Sequence, residues 1–139
     1  MSDPVLKGAS ILILEDELLL RKHLVAVLEQ QDADVTAIGT VDEARRVVGS
    51  LSFDFALLDL HLPDGLGTDL LKEGIFSPNT AVIVCTAEGG IKSAVEAIKN
   101  GAITIVCSKS CKFKSTKINV IKTKKVRNYL SEISSKFYN

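Results

Sequence analysis

The chain has 139 residues, 46% of them hydrophobic and 24% charged, the composition of one ordinary folded domain rather than of a disordered segment. No uninterrupted apolar run exceeds five residues, far short of the roughly 18 a membrane-spanning helix needs; with no export-type leader in Met1-Ser2-Asp3-Pro4, a cytoplasmic setting without membrane contact is expected. The formal net charge of zero conceals a split: residues 1–100 carry 8 basic and 16 acidic side chains, a net −8, whereas residues 101–139 carry 9 basic and one acidic, a net +8.

Ser10-Ile-Leu-Ile-Leu-Glu15 is an apolar run without alternation, the pattern of a strand covered on both faces. Leu20, Leu24, Val27 and Leu28 then recur at helical spacing and predict a helix over 18–31, followed by a second strand over 35–38. Thr40-Val-Asp-Glu43 reads as a capping box, and Ala44, Val47, Val48 and Leu51 continue a helical face that breaks near Gly49-Ser50. A third apolar run over 53–58 ends at Asp59. After the turn-rich Pro63-Asp64-Gly65-Leu66-Gly67, Thr68 is placed to cap a short helix that Gly74 closes. A fourth strand over 81–85, a helix over 91–100 ended by Gly101, and a fifth strand over 103–107 complete the pattern.

From Ser110 onward, Ile118, Ile121, Val126, Tyr129, Leu130, Ile133 and Phe137 fit a helical stripe, with Lys117, Lys122, Lys124, Lys125 and Lys136 mostly off it. The reading divides the chain into a core of residues 1–109 and a basic C-terminal helix over 110–139. That helix can cover the sheet, run on toward an effector, or pack on a second copy. Homodimerisation through the face of the fourth and fifth strands is expected ahead of direct DNA binding, because an exposed apolar stripe on that helix would be stabilised by burial against a second chain at about 25 cal/mol per Å². Cys85, Cys107 and Cys111 are expected as reduced thiols, since three cannot all pair and two sit in apolar runs that read as buried strands, and Cys107-x-x-x-Cys111 lacks the second ligand pair of a zinc site.

Strands alternating with helices of about ten residues imply right-handed βαβ crossovers and an α/β, doubly wound parallel sheet. Function in such sheets collects at the carboxyl ends of the strands. Glu15-Asp16-Glu17 leave the first strand, Asp59 the third, Thr86-Ala87 the fourth and Ser108-Lys109 the fifth. Each has a plain alternative: Asp16 or Glu17 starting a helix, Asp59 capping a turn, Thr86 as a strand residue, Lys109 solvated. Convergence favours chemistry, because clustered carboxylates repel one another unless a cation neutralises them or a raised pKa is useful. Oxygen-only ligands suit Mg²⁺, and the reaction such a cluster suits is phosphoryl transfer onto a carboxylate.

With these residues in place, the chain resembles the receiver domain of two-component response regulators, over at least residues 9–102. The resemblance rests on Ile11-Leu-Ile-Leu-Glu-Asp-Glu17, on Ala56-Leu-Leu-Asp-Leu-His-Leu-Pro-Asp-Gly-Leu-Gly67 and on Val82-Ile-Val-Cys-Thr-Ala87. Ala94-Val-Glu-Ala-Ile-Lys-Asn-Gly-Ala102 is similar to receivers attached to enhancer-binding transcription activators. The resemblance implies a flavodoxin-like, five-stranded sheet of order 2-1-3-4-5. It implies Asp59 as phospho-acceptor, Asp16 as a direct Mg²⁺ ligand and Glu15 as a ligand through water. It also implies the backbone carbonyl of His61 as the third protein ligand, Thr86 as the switch hydroxyl with Ala87 leaving its approach open, and Lys109 as the lysine at the phosphoryl group. His61 and Glu88 would tune hydrolysis of the acyl phosphate. The implied donor is a sensor histidine kinase or phosphotransfer protein, and the output an effector domain or partner. The chain would be no enzyme on an external metabolite, catalysing only its own phosphorylation and dephosphorylation.

The chain departs from that family after Ala102. Ile105 or Val106 stands where the family has an aromatic, Lys109 comes one residue late with Ser108 in its place, and Ser110 replaces a proline. Either a bulge or shifted strand end restores Lys109 to the site, the favoured outcome, with Lys112 as fallback, or the site lacks its lysine. Two rival readings accompany the switch. One is a degenerate receiver that binds partners or dimerises without phosphorylation. The other is an aspartyl-phosphate phosphatase, which needs a carboxylic acid where His61 stands.

Overall fold

The computed structural model describes residues 6–85 and the backbone of residues 104–108 and 119–123. In chain order the elements are β1 (Ser10–Leu14), α1 (Leu18–Glu29), β2 (Asp34–Ile38), α2 (Val41–Ser50), β3 (Phe55–Asp59), a hairpin of β4 (His61–Leu62) and β5 (Gly65–Leu66), α3 (Gly67–Lys72), β6 (Ala81–Cys85), β7 (Thr104–Ser108) and β8 (Asn119–Thr123). The expected helix over 91–100 lies outside the described residues, as do Thr86, Ala87, Glu88, Lys109 and Lys112. Among the described residues no helix is long and apolar enough to cross a membrane.

The main sheet is parallel throughout, in the order β2-β1-β3-β6-β7-β8. Its non-alternating apolar strands sort their side chains strictly by parity, as a period of two requires. Leu12, Leu14, Ala56, Leu58, Val82 and Val84 face one way and pack with Val41 and Ala44 of α2 and Leu70 and Leu71 of α3. Ile11, Ile13, Leu57 and Ile83 face the other way and pack with Leu24 and Leu28 of α1. Helices therefore cover both faces, which makes the sheet doubly wound and flavodoxin-like. Leu12, Ala56, Leu58 and Val84 are wholly excluded from solvent, and full burial of a leucine contributes about 1.5–3 kcal/mol.

The first five strands stand in the expected order 2-1-3-4-5, and a sixth is added beyond them. Asn119–Thr123 lies parallel to β7, with Thr104 opposite Asn119 and Ser108 opposite Thr123. The expected helix over 110–139 is thus not continuous through these five residues. The cause is local: Asn119-Val-Ile-Lys-Thr123 carries three β-branched side chains, which lose rotamer freedom in a helix and suit a pleated strand. The apolar positions that looked helical over thirty residues include a short run that either period can claim.

Helix boundaries follow local chemistry. At the start of α2 the Thr40 hydroxyl accepts from the Glu43 N–H at 3.1 Å, the N-cap half of the expected capping box, while the Glu43 carboxylate accepts from the Thr40 hydroxyl at 3.0 Å rather than from the Thr40 backbone N–H. The two preceding helical amides have a different partner: the Asp64 carboxylate accepts from Val41 N–H at 2.8 Å and Asp42 N–H at 3.0 Å. The expectation for α3 is half right. Gly74, at φ +65°, closes it, but its N-cap is Leu66, and Thr68 lies inside the helix, buried. Asp69 takes over the capping work by accepting from the Leu66 N–H at 3.4 Å.

Candidate functional site

The sheet register sets the site. Leu14, the last residue of β1, pairs with Leu58, so Glu15 and Asp16 leave β1 beside Asp59, the last residue of β3. Asp59 in turn pairs with Cys85, and Cys85 with Val106. Glu15, Asp16 and Asp59 come together: one carboxylate oxygen from each lies within 4.8 Å of the others. Glu15 and Asp59 are half-buried and Asp16 is exposed.

Backbone amides orient two of the three acids in the same way. The Glu17 N–H donates to Glu15 Oε1 at 3.1 Å, and the His61 N–H donates to Asp59 Oδ1 at 3.1 Å. The first loop is further fixed from below by Arg21, whose guanidinium donates to the Glu15 carbonyl at 2.8 Å and reaches the Asp16 carbonyl at 3.5 Å. Gly39 gives that guanidinium room, because a Cβ there would stand 2.7 Å from Arg21 NH1. The second loop is pinched shut: Gly67 N–H donates to the Leu60 carbonyl at 2.8 Å, and a Cβ on Gly67 would stand 2.5 Å from the Asp59 carbonyl oxygen.

Burial pushes the Glu15 carboxyl up to about 7. The charge of Asp59, a hydrogen bond shared with Asp59 and the charge of Asp16 push the same way, against the Glu17 N–H bond. No lysine or arginine among the described residues pairs with these carboxylates; the ion pairs Arg45–Glu73 and Arg46–Asp42 lie elsewhere. Three close carboxylates with that electrostatic demand fit a divalent cation, and an all-oxygen donor set favours a hard ion over zinc. The imidazole of His61 is exposed on the hairpin and is not part of the acid cluster.

Of the residues expected at the site, Glu15, Asp16 and Asp59 converge, and His61 touches Asp59 through its backbone. Thr86 and Lys109 are outside the described residues. Sequence reading passed over Arg21, Gly39 and the full role of Gly67. Gly67 carried a signal, a glycine in a turn, but nothing local marks Arg21 or Gly39, whose meeting depends on β1 and β2 lying side by side.

Comparison with known proteins agrees with this geometry. The family described as the response regulator receiver domain matches residues 11–120. The response regulator protein PilR of Pseudomonas aeruginosa is 37% identical over 92 residues, covering 66% of this chain and 21% of PilR. The two-component response regulator PhoP of the same organism is 36% identical over 93 residues, covering 66% of this chain and 41% of PhoP. The chain thus spans less than half the length of these relatives. Among solved structures, a CheY-like receiver domain protein of Methanospirillum hungatei superposes with a TM-score of 0.70 at 24% identity, covering 94% of both chains. A response regulator protein of Burkholderia pseudomallei, solved with a phosphorylated aspartic acid, calcium ion and citrate, gives 0.68 at 23% identity over 94% of this chain and 74% of that one. Fold, acid cluster and family match converge on one conclusion: the chain belongs to the response regulator receiver domain family of two-component systems.

Proposed function

We propose that the chain is a phosphorylation-dependent signalling switch that accepts a phosphoryl group on Asp59, with Mg²⁺ held by Glu15, Asp16, Asp59 and the backbone carbonyl of His61. The observation that carries the reading is the meeting of Glu15, Asp16 and Asp59 within 4.8 Å at the carboxyl ends of β1 and β3. The phosphorylated aspartic acid and calcium ion of the Burkholderia pseudomallei protein support it by analogy.

In this mechanism an Asp59 carboxylate oxygen attacks phosphorus, the P–N bond of a phosphohistidine donor breaks, and the imidazole leaves as the acyl phosphate forms. The bound cation would offset negative charge where an anionic donor approaches an anionic nucleophile. The chain's own residues do the positioning. The His61 N–H fixes one Asp59 oxygen and leaves the other for attack, and Arg21 keeps the Glu15–Asp16 backbone beside it. Thr86 and Lys109 are the residues we assign to the phosphoryl oxygens. The chain acts on itself and not on an external metabolite. The upstream partner is a sensor histidine kinase or phosphotransfer protein, the downstream one an effector domain or partner, and the setting cytoplasmic.

Intact mass after incubation with a small-molecule phosphodonor and Mg²⁺ tests the reading. The parent chain gains one phosphoryl group and Asp59→Asn gains none. An unlabelled parent favours the phosphorylation-independent partner module, and a variant labelled as fully as the parent removes Asp59 as acceptor.

A further inference from the structure

We propose that Asp64 is a positioning residue, a carboxylate that ties the hairpin following Asp59 to the first turn of α2 and thereby holds Asp59 in its working orientation. Its metal-binding consequence rests on the reading given above.

A helix begins with backbone amides that have no partner within the helix. In α2 these are met by two side chains of separate origin. Thr40, adjacent in sequence, takes the Glu43 amide. Asp64, 22 and 23 residues further on, takes those of Asp42 and Val41 at 3.0 and 2.8 Å. The helix could be capped locally, as it is at Glu43, so the long-range carboxylate has a second effect: it fixes Asp64 itself. A carboxylate at a helix N-terminus is also favoured by the helix dipole.

Asp64 sits between the two short strands of the hairpin, in which His61 pairs with Leu66 and Leu62 with Gly65. Gly65 lies beside the same helix turn, since a Cβ there would make ordinary contact with Val41 Cγ2 at 3.5 Å. At the other end of the hairpin, Asp69 of α3 accepts from Leu66 N–H at 3.4 Å, and Gly67 N–H donates to Leu60. The hairpin is thus held between α2 and α3, and its first residue is His61, whose N–H fixes Asp59 Oδ1. Displacing Asp64 from α2 frees the tip of that hairpin and, through two residues of paired strand, the amide that orients the acceptor carboxylate.

The test compares Asp64→Ala with Thr40→Ala in the full chain, because both uncap the same helix and only one sits on the hairpin. In chelator, each lowers the melting temperature by about 4 °C. Amide exchange at His61, followed by NMR without metal, speeds up in Asp64→Ala and not in Thr40→Ala. Mg²⁺ affinity from calorimetry falls about tenfold or more in Asp64→Ala, the loss expected when a support behind a ligand is removed, and stays at the parental value in Thr40→Ala. Asp64→Asn, which keeps one accepting oxygen, falls between. His61 exchange and Mg²⁺ affinity in Asp64→Ala equal to those of Thr40→Ala overturn the proposal. A parent chain that binds no Mg²⁺ overturns the metal reading instead, and His61 exchange still decides the role of Asp64.

Discussion

In the loop after β1 a cation holds two backbone carbonyls, Arg21 on Glu15 and Asp16; in the loop after β3 an anion holds two backbone amides, Asp64 on Val41 and Asp42. Each loop nevertheless orients its acid with the N–H of the residue two positions on, at 3.1 Å in both cases. The difference teaches where repulsion is tolerated. The first loop carries two of the three clustered carboxylates, and its tether brings positive charge beneath them. The second loop carries one, and its tether adds a further negative charge, placed away against a helix N-terminus where it is stabilised. The second tether acts on the amides of a helix N-terminus, whereas the first acts on the backbone carbonyls of the acids' own loop.

The largest effect that separates the loops is expected from Gly67→Ala. The added methyl would meet the Asp59 carbonyl oxygen at 2.5 Å, backbone that cannot swing aside, so denaturant unfolding should show a loss of about 3 kcal/mol. Retention of parental stability would mean the second loop is looser than its geometry implies.

Next comes Asp16→Ala, which removes the exposed carboxylate of the cluster without disturbing the core. Mg²⁺ affinity by calorimetry should fall beyond the roughly 10- to 100-fold that losing an outer support costs, while stability in chelator stays near that of the parent. An unchanged Mg²⁺ titration removes Asp16 from the site. Arg21→Met is expected to be milder, about 2 kcal/mol from the lost charged hydrogen bonds to carbonyls, and Gly39→Ala milder still, because the added methyl meets only the movable end of the Arg21 side chain. Parental stability in Arg21→Met would break the account of the first tether.

The smallest effect is a pH dependence confined to the first loop. The Glu15 carboxyl is raised from 4.5 to about 7 by burial and by Asp59. A raised carboxyl contributes stability that is complete below the unfolded value and lost as pH rises through the folded one. The metal-free chain should therefore lose melting temperature between about pH 5 and pH 8 from this group, while the gain produced by Mg²⁺ grows over the same window, because the cation requires the ionised form. Glu15→Gln should flatten both trends; a parental slope in that variant assigns the titration elsewhere.

Legibility in the sequence tracked the distance over which each feature is determined. The apolar strands up to β6, the Thr40 N-cap and the Gly74 stop are set within a few residues, and they stand where the residues place them. Glu15, Asp16 and Asp59 were legible because a parallel sheet delivers all strand ends to one edge. The tethers were not legible: Arg21 meets Gly39, and Asp64 meets Val41, only after strands distant in sequence have paired. The strand at Asn119–Thr123 was lost for the opposite reason, since a helical stripe drawn across thirty residues overrode the strand preference of five.

The central claim is that the three acids form one cation-dependent phosphorylation site with Asp59 as acceptor. Borohydride reduction of the phosphodonor-treated chain, followed by peptide mass mapping, tests it most directly, because an aspartyl phosphate is reduced to homoserine while free carboxylates are left intact. The account predicts homoserine at position 59 in Mg²⁺ and none in chelator. Reduction at another acid, or equal reduction at position 59 without the cation, would contradict it.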